Sequence, residues 1–237
     1  MSPGPAPEGP PLPGDGARPQ VKICGLNDPD GLDAAVAAGA DFIGFVFVPA
    51  SPRAVTPDAA AALSARAPFV EAGGPVRVGL FVDPTDEEIA AALAAVPLCV
   101  LQLHGEETPA RVAEIRARFG VPVMKVLGIG EAADLDRLAD YAEVADHFLL
   151  DTRVPGAALP GGNAVAFDWS LLAGRALPRP WLLAGGLTPA NVAEAIRVTG
   201  APGVDVSSGV ERARGVKDPA RIAAFAAAAR GPGRAGG

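Results

Sequence analysis

Val21-Lys22-Ile23-Cys24-Gly25 and Phe148-Leu149-Leu150-Asp151-Thr152 share one pattern: an apolar run that stops on a reactive side chain. Each reads as a buried strand whose last residue can meet solvent. The pattern recurs along the chain. Strand candidates are Val21–Cys24, Phe42–Phe47, Arg77–Val82, Cys99–Leu103, Val123–Val126, His147–Asp151, Trp181–Ala184 and Val204–Ser207. Ala-rich helix candidates begin between them near Pro29, Pro57, Thr85, Thr108, Ala132, Trp169, Thr188 and Asp218. Thr56-Pro57, Thr108-Pro109, Thr188-Pro189 and Asp218-Pro219 each place an N-cap before a proline suited to the first helical position. Glu87 and Glu88 follow Asp83-Pro84-Thr85 as acids suited to a first helical turn.

Strands that alternate with helices imply a parallel sheet. Eight such units in about 200 residues predict an α/β fold, a single-domain (βα)8 TIM barrel. An open doubly wound sheet is the competitor, but no dinucleotide glycine fingerprint opens a helix after the first strand. The barrel is expected over residues 20–230. Residues 1–19, rich in Pro and Gly, and residues 231–237 read as disordered tails.

Composition narrows the function. Of 237 residues, 49% are hydrophobic and 20% charged, with a net charge of -7, which excludes a disordered chain and argues against nucleic acid as the main partner. The two cysteines, Cys24 and Cys99, form no disulfide framework, and with two histidines they show no metal-ligand spacing. No signal peptide and no run of membrane-spanning length are visible, so a cytoplasmic protein is expected.

In a (βα)8 barrel chemistry gathers at the C-terminal ends of the strands. That rule selects Cys24, the Pro49–Arg53 loop, Asp83, Gln102 and His104, Asp151, Gly185-Gly186, and Asp205 with Ser207-Ser208-Gly209. The glycines and serines after strands seven and eight lie where this architecture usually holds phosphate, and glycine lets backbone N–H groups approach an anion; the bland alternative is two tight turns. Cys24 is either a small core hydrophobe or, as a thiolate, a base. Lys22 is a candidate cation for that thiolate. Asp151, ending an apolar run, needs a partner, a solvent path or a raised pKa, and could donate a proton. Arg53 is a solvated surface group or a clamp for a substrate carboxylate. Cys99 and His147 start their strands and read as structural, whereas His104 lines the pocket or packs beside it with equal reason.

The runs VKICG (21–25), GFVFVPASPR (44–53), VGLFVD (78–83), LQLHGEE (101–107), LLDT (149–152), FDWSLL (167–172), LAGGLTPANV (183–192) and VDVSSGVE (204–211) together give a resemblance to phosphoribosylanthranilate isomerase, in family order across residues 21–230. The resemblance implies a cofactor-free Amadori rearrangement of N-(5-phosphoribosyl)anthranilate in tryptophan biosynthesis. It implies Asp151 as general acid at the furanose oxygen and Cys24 as general base at C2. Arg53 is implied near the anthranilate carboxylate, with Gly186, Ser208 and Gly209 in the phosphate loops. Gln102, His104, Gly185, Asp205 and Ser207 complete the expected binding set around a phosphorylated small molecule, in a monomer or homodimer without metal. One departure stands out: Asn163 and Ala164 replace a small hydroxyl residue and a glycine before Phe167-Asp168-Trp169. Competing readings are another phosphosugar barrel, marked by a strand-end lysine acid or paired carboxylates, or a non-catalytic phosphosugar binder.

Overall fold

The computed structural model describes residues 18–153 and 167–231; Asn163, Ala164 and nearly all of the expected tails lie outside them. Eight parallel strands close into a barrel in sequence order. They are β1 Gln20–Cys24, β2 Phe42–Val46, β3 Val76–Phe81, β4 Val100–Leu103, β5 Val123–Ile129, β6 His147–Thr152, β7 Trp181–Leu183 and β8 Gly203–Val206. β8 pairs back onto β1 with Lys22 opposite Asp205, which completes the barrel. Each predicted strand is present, with ends displaced by a residue or a few.

The helices divide into those with strong start signals and those without. α1 (Pro29–Ala37), α2 (Pro57–Ser64), α4 (Pro109–Phe119) and α7 (Pro219–Arg230) each begin at proline behind a capping Asp28, Thr56, Thr108 or Asp218. α3 (Asp86–Ala95) starts in a capping box, Thr85 and Glu88 satisfying each other's backbone N–H. Three expectations fail. The segment near Ala132 is a 3-10 turn, Ala132–Arg137, that leads into a single-turn α5 (Leu138–Tyr141). After β6 only a 3-10 turn, Trp169–Leu172, is described, because Gly174 in the left-handed region and Pro178 stop further winding. The Thr188-Pro189 cap does not form either: α6 runs over Val192–Thr199. Asn191 instead closes a turn, accepting from the Thr188 N–H (2.7 Å) and donating to the Gly186 carbonyl (3.0 Å).

Alternation along the strands sorts side chains to two faces. Val21, Ile23, Ile43, Phe45, Leu101, Leu103, Phe148, Leu150 and Val204 face the helices in one large apolar cluster. Phe42, Val78, Val100, Met124, Leu149 and Leu182 fill the barrel's interior. A smaller apolar group, Cys24 with Val46 and Leu80, lies nearer the C-terminal end. Cys99 is half-buried beside the inner core, and His147 is buried at the start of β6, both in structural positions. At the opposite end Asp41 accepts from the Val21 N–H (2.9 Å) and pairs with Arg18 and Arg230, which fastens the start of β1 to the end of α7.

Candidate active site

The alternation that places Leu149 inside the barrel also places Asp151 there, two residues on at the C-terminal end of β6. Cys24 reaches the same end of the interior from β1. Cys24 and Asp151 therefore stand at the same end of the barrel.

Asp151 is nearly buried. Its Oδ1 accepts from the Thr152 N–H (2.7 Å), and its Oδ2 lies 3.4 Å from His104 Nε2. His104 hangs from the end of β4, its own N–H donating to the Phe81 carbonyl (2.8 Å). Gln102 is buried one step deeper, and its Oε1 meets no hydrogen-bond donor among the described residues.

Cys24 sits above a buried ion pair. Lys22, two residues earlier and on the same face, donates to Asp205 Oδ1 at 2.7 Å, with the lysine side chain fully buried. Burial pushes the Cys24 thiol up; the Lys22 and Lys217 ammonium groups act in the other direction, and Asp205 adds to the rise. Burial would lower Lys22, but Asp205 and Cys24 outweigh it and hold the ammonium above its ordinary value. The expectation of an electropositive setting is met in part: the cations are present, yet burial dominates and the thiol stays protonated at neutral pH.

Arg53 corrects its simpler reading. It is not a solvated arginine, and its guanidinium is already committed: Nε and Nη2 donate to the two carboxylate oxygens of Glu211 at 2.6 and 3.0 Å. Nη1 alone makes no hydrogen bond among the described residues. The stem of Arg53 runs against Gly25, where an added Cβ would stand 2.5 Å from Arg53 Cδ. Glu211 opens a short hairpin, β9 (Glu211–Ala213) with β10 (Val216–Lys217). It also accepts from the Gly215 N–H (3.0 Å) and the Lys217 ammonium (3.1 Å). Burial would raise the Glu211 carboxyl, but Arg53, Lys217 and the Gly215 amide together hold it low. Lys217 further donates to the carbonyl and hydroxyl of Ser207 at 2.9 and 3.3 Å. The sequence reading missed Lys217 and Glu211, as it missed the pairing of Lys22 with Asp205. Charged residues inside or beside apolar strand runs were the available signal.

The loops after β7 and β8 present backbone donors. The N–H groups of Gly185, Gly186, Ser208 and Gly209 donate to no described backbone or side-chain acceptor, while their neighbours Ala184 and Val210 are bonded. Gly185 has a φ of +85°, and a Cβ there would stand 2.7 Å from the Thr152 nitrogen and 3.1 Å from Asp151 Oδ1. Only glycine brings this loop so close to the Asp151 strand.

Fold and site define a closed (βα)8 barrel with a thiol, a carboxylate and a patch of amide donors on its C-terminal rim. Residues 21–228 match the family model for N-(5'-phosphoribosyl)anthranilate (PRA) isomerase. The N-(5'-phosphoribosyl)anthranilate isomerase of Paracoccus denitrificans is 62% identical over 90% of this chain and 97% of its own length. A crystal structure of monomers of the dimeric Thermotoga maritima phosphoribosylanthranilate isomerase superposes with a TM-score of 0.73 at 37% identity, over 89% of this chain and 98% of that one. Another isomerase structure holds reduced 1-(o-carboxyphenylamino)-1-deoxyribulose 5-phosphate; it has a TM-score of 0.73 at 37% identity over 88% of this chain and 96% of that one. The chain belongs to the N-(5'-phosphoribosyl)anthranilate isomerase family.

Proposed function

We propose that this chain carries out the family's isomerisation in tryptophan biosynthesis through Asp151 as acid and Cys24 as base. The observation that carries these roles is their convergence on the inner C-terminal rim, beside the β7 and β8 loop amides that have no partner among the described residues. The chemistry divides between the two groups. Asp151, held by the Thr152 amide and facing His104, gives a proton to the furanose ring oxygen as the C1–O bond breaks. The lone pair of the aniline nitrogen forms the C1 iminium. Cys24, as the thiolate left once its own proton has passed to solvent, then takes the acidified C2 proton and becomes the thiol, the electrons move to the iminium nitrogen, and the enolamine tautomerises to the ketone. The raised thiol must therefore ionise before this step. A cation formed at the neighbouring carbon favours the thiolate, as do Lys22 and Lys217.

Gly185, Gly186, Ser208 and Gly209 would bind the phosphate through backbone N–H groups, with Ser207 fixed beneath them by Lys217. Arg53 would present Nη1 to the anthranilate carboxylate, its other edge held by Glu211. Gln102 and Asp205 are buried below the rim, and Asp205 would act through Lys22. Neither a metal nor a cofactor enters these steps. A cytoplasmic location and a monomeric or homodimeric state fit this reading. Among the described residues no helix is long and apolar enough to cross a membrane, and the Thermotoga relative is described as dimeric.

The test supplies phosphoribosylanthranilate to the purified protein and follows the change in anthranilate fluorescence. Cys24→Ala and Asp151→Ala are each expected to lower kcat on the order of a hundredfold or more. No turnover by the unaltered protein would overturn the reaction, and full activity in either variant would overturn that residue's role.

A further inference from the structure

Outside the barrel wall lies a buried ion pair that the acid–base steps do not use. Lys125 is on β5 between the inward-facing Met124 and Val126, so its side chain leaves the barrel toward the helices. Its ammonium meets Glu107 Oε2 at 2.6 Å, and both side chains are about 1% exposed. Burying two charges gains little stability over an apolar pair of similar volume. The rest of the network indicates what the pair holds. Lys125 also donates to the carbonyls of Gly105 (2.7 Å) and Leu103 (3.5 Å). Glu107 accepts from the Gly105 N–H (3.1 Å to each oxygen) and from the Asp83 N–H (2.8 Å). Its own carbonyl accepts from the Tyr141 hydroxyl (2.9 Å).

These bonds grip both residues that flank His104. They press so closely that a Cβ at Gly105 would stand 2.5 Å from the Asp83 side chain. Asp83, held at a φ of +45°, accepts from the Glu106 N–H (2.8 Å). Strain of this kind persists only where the surroundings over-determine it. The one group the gripped loop sends into the barrel mouth is the His104 imidazole, 3.4 Å from Asp151.

We propose that Glu107 and Lys125 are positioning residues: a strut outside the barrel that fixes where the His104 imidazole stands against the Asp151 carboxylate. The proposal rests on the reading of Asp151 as the acid. The test is a cycle between the strut and His104. Glu107→Gln combined with Lys125→Met removes both charges together, and the glutamine oxygen can keep the Gly105 and Asp83 N–H bonds. The folded double variant should lose about tenfold in kcat, in line with the cost of a small misplacement near the chemistry, with KM little changed. In a His104→Ala background the same pair of changes should lower kcat less than about twofold, because the strut then has nothing to aim.

Equal fold losses in both backgrounds would overturn the proposal, as would unchanged kcat in the double variant. Should that variant fail to fold, Tyr141→Phe loosens the same loop without touching a charge. It should give a loss of a few fold that His104→Ala abolishes; no loss, or a loss that survives His104→Ala, overturns the proposal. Full activity in Asp151→Ala would instead defeat the acid assignment, and that arm is read separately.

Discussion

Gly185→Ala tests how closely the loop after β7 approaches the strand that carries Asp151. The substitution acts in two ways that can be separated. The backbone at Gly185 has a φ of +85°, and placing an L side chain in the left-handed region costs about 1–2 kcal/mol. The new Cβ would also stand 2.2 Å from Thr152 Oγ1 and 2.7 Å from the Thr152 nitrogen. The hydroxyl can rotate away, since it has no hydrogen-bond partner among the described residues to lose. The backbone nitrogen cannot, because it belongs to β6 and donates to Asp151. Overpacking against a fixed group adds about 1–3 kcal/mol, so the total is about 2–5 kcal/mol. Gly200→Ala is the control: its φ is +67°, and nothing lies within 4 Å of an added Cβ, so only the conformational cost remains. Urea denaturation of both variants should show Gly185→Ala losing more stability than Gly200→Ala by at least about 1 kcal/mol. Relief of the overlap moves Thr152 and with it Asp151, so kcat should fall about ten- to a hundredfold in Gly185→Ala and stay unchanged in Gly200→Ala. Equal stability losses in the two variants, with kcat preserved, would refute the steric reasoning and the nearness of this loop to the acid.

The ionisable core makes two pH-dependent predictions. Because burial raises the Cys24 thiol, its ultraviolet thiolate signal, isolated against Cys24→Ser, should titrate above the ordinary thiol range of about 8.5; Lys22→Met should move the midpoint higher still, and a downward move would refute the assigned sign. Burial lowers the His147 imidazole, so below the unfolded value of about 6.5 the unfolded chain takes up a proton that the folded chain refuses. Stability should therefore be level above that pH and fall as pH drops toward the depressed folded value; urea midpoints at several pH values for wild type and His147→Gln check this, since the variant should lose that component of the slope.

The barrel was legible because its signals are local. Proline behind a capping residue marked α2, α4 and α7 at the residue where each begins. The same signature misled at Thr188-Pro189, because Asn191 offers the loop a competing set of bonds to Thr188 and Gly186. Strand ends and their order were enough to bring Cys24 and Asp151 to one rim. What could not be read is whatever depends on register. Lys22 pairs with Asp205 because β8 closes onto β1 with those two residues opposite, a contact 183 residues apart in sequence. Arg53 meets Glu211 only because the hairpin after β8 folds back over the β2 loop, with Gly215 packed on the Pro52 carbonyl.

Those hidden contacts bear on how a buried thiol can serve as a base. Around Cys24 the chain assembles three cations, Lys22, Lys217 and Arg53, against two carboxylates, Asp205 and Glu211. One positive charge is left over in a largely buried cluster, where charge is poorly screened. In the free protein burial outweighs it and the thiol keeps its proton. In the proposed reaction the substrate's carboxylate at Arg53 and the Cys24 thiolate both draw on that charge. Glu211 bears on the outcome because it grips Arg53 by Nε and Nη2, which leaves Nη1 to the carboxylate, and at the same time pairs with Lys217. The iminium then adds a second positive charge beside the thiol, at the step when the base is required. A site with balanced charges would protonate Cys24 more firmly, and one with a larger excess would hold a reactive thiolate before substrate arrived.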